Sequence, residues 1–197
     1  MKGFRAVAST LALTLAISAC SIFPPPAPPP VLHDLGPSEY HAKPTQANWS
    51  SVVVDAPQWL GDEHIRYRLA YFDPTRVGFY ARDRWLAPPP SLLAQRLSVA
   101  GGGYGYRLRI ELLEFEQVFD GPNSARAILG FRAEAQRPED GKVAGERTFR
   151  LALATPGADA AGAVKAFSEL TEQAITAIGT WLAQLPAHPD RQGAAQR

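Results

Sequence analysis

Few side chains in this sequence stand where chemistry would need them. There is one cysteine, Cys20, at the end of Ile17-Ser18-Ala19-Cys20. A lone thiol is ordinarily a small buried hydrophobe or a nucleophile, but this one follows a run of small and apolar residues near the N-terminus, which suits neither role. The four histidines, His33, His41, His64 and His188, show no metal-ligand spacing, so surface or loop packing is their expected role. No G-x-S-x-G elbow occurs. Gly101-Gly102-Gly103-Tyr104-Gly105 is glycine-rich, but it follows a predicted helix and precedes a predicted strand. A phosphate loop requires the reverse order, with the anion at a helix N-terminus, and a helix stop is the better reading. With no nucleophile–base set and no metal cluster, the expectation is a non-enzymatic protein without a cofactor or metal.

Binding chemistry is better represented. Tyr80-Ala81-Arg82-Asp83-Arg84-Trp85 places aromatic and guanidinium groups together, the residue types that carry most of the energy at protein interfaces. Two readings stand side by side: a solvated loop whose Trp85 plugs the core, or a partner-binding rim. Trp59, in Ala56-Pro57-Gln58-Trp59-Leu60, has the same ambiguity. Trp59, Tyr80, Arg82, Arg84 and Trp85 are therefore the candidate partner-contact residues.

The segments that position these groups begin with an N-terminus outside any fold. Lys2 and Arg5 form a positive n-region, and Ala6–Ala19 is a continuous small and apolar run. Fourteen residues are too few for a stable bilayer-crossing helix, which needs roughly 20, but suit the h-region of a secretory signal. The stretch ending in Cys20 resembles a bacterial lipobox, which implies cleavage between Ala19 and Cys20 and acylation of the thiol. At about 0.8 kcal/mol per buried CH₂, two or three acyl chains make anchoring effectively permanent. Ser21, rather than Asp, follows the cysteine, which by resemblance to Gram-negative lipoprotein sorting implies an outer-membrane anchor with the domain facing the periplasm. Pro24-Pro25-Pro26-Ala27-Pro28-Pro29-Pro30 can form neither helix nor ladder. It favours an extended polyproline rod of about 3.1 Å per residue, a stiff spacer between lipid and domain.

Composition bounds the remainder. Of 197 residues, 46% are hydrophobic and 20% charged, which excludes a fully disordered chain. Twenty basic residues against 19 acidic leave no electrostatic footprint for nucleic acid. Loss of Met1–Ala19 would also remove Lys2 and Arg5, leaving 18 basic residues against 19 acidic.

The expected organisation is a signal peptide over 1–19, a lipidated cysteine and proline tether over 20–30, one domain over 31–187 and a polar tail over 188–197. Within the domain, Val31–Gly36 reads as a short strand and Ser51–Asp55 as a buried β-branched one. Ile65–Tyr71 alternates, with Arg66 and Arg68 on a wet face, and Asp73-Pro74-Thr75 turns into Val77–Tyr80. Ser91 is a candidate N-cap for a helix bearing Leu92, Leu93, Leu97 and Ala100. Three long strands follow. Tyr104, Tyr106, Leu108, Ile110 and Leu112 share a face, then the pattern slips by one to Leu113, Phe115 and Phe119, the signature of a β-bulge or of a strand that changes partner. Ala125, Ala127, Leu129, Phe131, Ala133 and Ala135 alternate cleanly, and Val143, Phe149, Leu151 and Leu153 are expected to point inward. A helix from about Ala160 to Leu185 carries Val164, Phe167, Leu170, Ala174, Ile178, Trp181 and Leu185 as its apolar stripe. The fold class is therefore α/β (α+β): a single compact domain with a mostly antiparallel sheet of long meander strands, covered by helices.

Taken in order, His33-Asp34-Leu35-Gly36, Val52-Val53-Val54-Asp55-Ala56-Pro57-Gln58-Trp59-Leu60, Ile65-Arg66-Tyr67-Arg68 and Tyr80-Ala81-Arg82-Asp83-Arg84-Trp85-Leu86-Ala87-Pro88-Pro89 form a pattern. It resembles the ABC-type transport auxiliary lipoproteins, a family that includes the PqiC-like lipoproteins, from about Val31 to Leu185. His33 departs from it where the family signature has Tyr. The resemblance implies a non-enzymatic accessory to ABC transporter components and an MCE-domain protein, helping lipid or other hydrophobic cargo between membranes, and a homo-oligomeric ring. The alternative is a structural envelope lipoprotein that assists outer-membrane assembly or integrity.

Overall fold

The computed structural model describes residues 28–37 and 47–186. The signal segment, Ala19, Cys20, most of the proline run, His41, His188 and the polar tail lie outside them.

Seven strands form one sheet: β1 (Val31–His33), β2 (Ala47–Asp55), β3 (His64–Leu69), β4 (Val77–Trp85), β5 (Gly101–Gly121), β6 (Ser124–Gln136) and β7 (Val143–Ala154). Among the described residues, two α-helices, α1 (Pro89–Ala100) and α2 (Ala160–Leu182), pack on it, and a 3-10 turn, Gln58–Leu60, joins β2 to β3. The spatial order is β1-β4-β3-β5-β6-β7, with β2 also paired to β5. Antiparallel ladders dominate by length, through β5–β6 and β6–β7. The pairings β1–β4, β2–β5 and β3–β5 are parallel.

β5, at 21 residues, organises the domain. One of its edges is taken by β6 along almost its whole length. The other is shared end to end: β2 pairs from Ala47↔Gly101 to Asp55↔Glu111, and β3 from Tyr67↔Gln117 to Leu69↔Phe119. The pattern slip at Leu113 falls between those two stretches, where the β5–β6 register shifts between Leu112 and Glu114. The strand thus carries a bulge and changes its neighbour within one short stretch.

The core lies on the helix-covered face. All six alternating residues of β6, Ala125 to Ala135, are buried. The alanines leave room for α2, whose Phe167, Leu170, Ala174, Ile178 and Trp181 descend onto the sheet. Phe115 and Phe167 stack at 4.0 Å and Phe131 and Phe149 at 5.0 Å, with Trp181 edge-on to Phe149. Asp159 caps α2 by accepting from the Gly162 N–H at 2.7 Å.

The opposite face is wet and tied by cross-strand ion pairs, including Arg150–Glu114 at 2.7 Å and Arg132–Glu146 at 2.9 Å. Arg150 and Glu114 both pair with Gly130 of the central strand and meet above it. A Cβ at Gly130 would come within 2.6 Å of the Glu114 carboxylate.

Four expectations need correction. Ser91 is not the cap of α1: Pro88 is the N-cap, and Pro89 and Pro90 occupy the first helical positions, where a missing N–H costs nothing. Arg66 is not on the solvent but buried, because Asp62 and the Phe79 ring enclose its guanidinium. Val143 is exposed, since the register shift between Ala135 and Gln136 turns it out of the inward set. Val53 is exposed too: among the described residues β2 pairs only with β5, so its β-branched run forms an outer strand rather than a buried one.

The glycine run ends α1 and passes directly into β5. Gly105 has φ +100, and a Cβ there would lie 2.3 Å from the Asn48 carbonyl oxygen, so the run serves the close approach of β2. Trp49 of β2 is buried beside it and donates its indole N–H to the Leu97 carbonyl at 2.9 Å.

Candidate functional site

The candidate contact residues converge on β4 and its neighbours. β4 extends through the stretch that the sequence suggested as a loop, so Arg82, Asp83 and Arg84 are strand residues. β1 covers only Asp83–Trp85 of its outer edge, with Val31↔Asp83, Leu32↔Arg84 and His33↔Trp85. Among the described residues, the Val77–Arg82 edge carries no strand on that side.

Trp85 is a core residue. It is 1% exposed, lies 5.6 Å from Phe115 and 5.8 Å from Phe167, and gives its backbone N–H to Glu63. Of the two readings of Trp85, the structure bears out the one that places it in the core, not the partner-binding rim: an indole buried under α2 offers no surface to a partner. Trp59 is 55% exposed on the 3-10 turn, and Arg82 is exposed on β4. Arg84 is half-buried and spends its guanidinium on the Tyr80 and Asp83 carbonyls.

Tyr80 is half-buried and its hydroxyl donates to Gln117 Oε1 at 2.6 Å. Gln117, wholly buried, in turn donates to Thr155 Oγ1 at 3.3 Å, and Thr155 donates to the Ala125 carbonyl at 3.1 Å. Burial pushes the Tyr80 hydroxyl well above its ordinary value, with Asp159, Tyr67 and Asp83 adding to the effect. The phenol stays neutral and holds β4 to β5 and to the entrance of α2. Nothing in the spacing of Gln117 within an alternating strand marks it as the centre of this network.

Two clefts flank β4. The larger, about 440 Å³, lies between β1 and α2 and is lined by Leu32, Leu86, Val164, Lys165 and Ser168. His33 and Asp83 close one side with a 2.7 Å contact. Just beyond β1, both helices clasp the chain. Ser168 donates to the Leu35 carbonyl at 2.7 Å, Arg96 of α1 reaches the Gly36 carbonyl and Glu172 of α2, and Leu35 is buried. The segment entering the domain is therefore firmly held.

The smaller cleft, about 230 Å³, lies at the β3–β4 turn and is lined by Tyr67, Leu69, Phe72, Arg76 and Val77. At this turn Tyr71, Phe72 and Val77 are exposed, Phe72 at 75%, whereas Phe79 packs against His64 and Arg66. Below, Tyr67 packs against Tyr80 at 5.0 Å and Phe119 at 5.9 Å. Arg68 is bound by Glu116 through two 3.0 Å hydrogen bonds, which raise its pKa, and also donates to the Pro74 carbonyl. Asp62 is held below the usual carboxylate range: burial pushes it up, but hydrogen bonds from His64 and the Arg66 charge outweigh that. Among the described residues no group of three or more His, Cys, Asp and Glu could hold a metal ion. The arrangement offers apolar and aromatic contact surface over a rigid polar base.

This fold is shared with solved structures. It is similar to the crystal structure of a Xanthomonas campestris protein of the DUF330 family, with a TM-score of 0.60 at 21% identity, over 78% of this chain and 91% of that one. The likeness is one of fold. A second crystal structure, of an uncharacterized protein, is similar with a TM-score of 0.58 at 14% identity, over 78% and 98% of the two chains. A looser likeness, with a TM-score of 0.37 and 12% identity over 70% and 97%, is to a minor lipoprotein from Acinetobacter baumannii. No family model matches the chain, and no curated protein matches it.

Proposed function

We propose that this protein is a lipid-anchored envelope lipoprotein, held at Cys20 in the outer membrane with its domain in the periplasm. It acts as a non-enzymatic accessory of an ABC/MCE-type system that moves lipid or other hydrophobic cargo between membranes. The observation that carries the proposal is the union, in one chain, of a lipobox-like Ala19-Cys20 with a proline spacer and a DUF330-like fold. The motif blocks from His33 to Pro89 support the assignment to the ABC-type transport auxiliary lipoproteins. The exposed residues Trp59 and Arg82 and the apolar group at the β3–β4 turn supply contact surface. None of the described helices is long and apolar enough to cross a membrane, so in this reading the acyl chains are the attachment.

Crosslinking in cells followed by purification tests the reading. Recovery of an MCE-domain protein or an ABC transporter component is the expected result. Recovery of monomer alone, from a strain in which those proteins are expressed, contradicts it.

A further inference from the structure

The strand directions fix which end of the domain the tether approaches. β1 is parallel to β4, so their N-terminal ends point the same way, and the chain reaches Val31 from the side of the Val77 end. Val31 is level with Asp83. Asp83 lies six residue steps along the strand from Val77, a distance of at most about 20 Å. The β3–β4 turn lies just beyond. Ser21–Pro30 comprises ten residues, whose reach is about 31 Å as a polyproline rod. Cys20 can therefore reach the level of that turn with roughly 10 Å to spare, whereas the opposite end of the domain, at Gly101–Tyr104, faces away from the tether.

The turn on the tether side is built for an apolar interface. Tyr71, Phe72 and Val77 are exposed there, and Phe72 and Val77 line the 230 Å³ cleft. Its backbone is largely satisfied from within. Phe72 and Asp73 donate their N–H groups to the Leu69 carbonyl at 2.9 and 2.8 Å, and Arg76 donates to Asp73 at 3.3 Å. Thr75 donates both its backbone N–H and its hydroxyl to the Asp73 carboxylate. Such a turn can leave water without exposing unpaired backbone groups, which is the main cost of entering a lipid interface. Its charges balance: Arg68 is paired with Glu116, and Asp73 and Arg76 adjoin. The attraction is therefore apolar and aromatic, and needs no anionic lipid.

We infer that the β3–β4 turn, with Phe72 at its crest, rests on the bilayer that holds the Cys20 anchor. The inference deepens the proposed function and depends on its lipid anchor. Contact of this kind gives the anchored domain a defined posture: the β3–β4 end lies on the lipid and the Gly101–Tyr104 end points into the periplasm.

The test uses the mature acylated protein in phosphatidylcholine vesicles. An environment-sensitive fluorophore is attached to Phe72→Cys and, separately, to Tyr104→Cys, which is 85% exposed at the far end. Acylated Cys20 does not react with the label. The expected result is a blue shift and quenching by doxyl-labelled lipid at position 72, neither at position 104, and an unchanged response in high salt. Equal behaviour at both positions in protein that floats with the vesicles overturns the inference and leaves the anchor intact. A response at position 72 that arises only on adding a partner protein also overturns it, in favour of a protein contact. Protein that fails to float overturns the anchor reading and this inference with it. Because Phe72 is largely exposed, an unchanged melting temperature verifies that the labelled variant is folded.

Discussion

The two halves of β5 bear different loads. From Gly101 to Glu111 the strand lies under α1 and beside β2, and its inward residues Tyr106, Leu108 and Ile110 are all buried with Trp49 and Leu97. From Gln117 onward its neighbour is β3, a buried amide replaces an aliphatic residue, and the aromatic side chains at the adjoining turn face outward. The first half is stabilised by burial of apolar area, at about 25 cal/mol per Å². The second also buries Val118 and Phe119, but it is braced by the hydrogen-bonded network around Gln117, and the aromatic groups left exposed lie at the turn beside it. A domain organised this way can lose contact function at one end without losing its fold.

The largest expected effect comes where the halves meet. Trp85→Ala empties a site bounded by Phe115 and Phe167, and should lower unfolding free energy by about 3–5 kcal/mol in denaturant titration. A loss of partner binding at unchanged stability would return Trp85 to the interface. Next, Leu108→Ala in the first half should cost about 2–5 kcal/mol, and Phe72→Ala, at the exposed turn beside the second half, should change stability by no more than about 0.5 kcal/mol. Similar costs for both would erase the contrast. Gln117→Leu should cost about 1–3 kcal/mol, because the Tyr80 hydroxyl loses its acceptor inside the domain. Adding Tyr80→Phe should then cost much less than it does alone, a coupling read from a double-mutant cycle. Smallest is Arg150→Gln on the wet face. Its ion pair with Glu114 is solvent-exposed, so the change should stay within about 1 kcal/mol and shrink further in salt.

The elements that were legible in the sequence are those whose pattern is repeated. The alternation from Ala125 to Ala135 and the three-and-four spacing from Phe167 to Trp181 each give many residues the same instruction, and both faces were read correctly. The slip at Leu113 was visible because a single inserted residue inverts everything after it. What is not legible is decided by partners distant in sequence. Parallel pairing of β1, β2 and β3 has no local turn signal, unlike the hairpins that join β5, β6 and β7. Arg66 looks solvated until Asp62 and Phe79 enclose it, and Val143 looks buried until the bulge beside it turns it outward. At the candidate site, the sequence offers Trp85 as a core plug or a rim residue, and only the strand through Arg82–Trp85 decides between them by carrying its indole inward. The exposed Phe72 follows a predicted strand, and only the topology places it on the tether side.

The whole account depends on the chemistry of one atom, the sulfur of Cys20. Intact mass and N-terminal peptide analysis of the protein extracted from membranes tests this directly. The account predicts a chain lacking Met1–Ala19 that begins at Cys20 and carries fatty acyl groups, with Cys20→Ser leaving a soluble or unprocessed protein. An N-terminus elsewhere, or an unmodified Cys20 thiol in membrane-extracted protein, would contradict it.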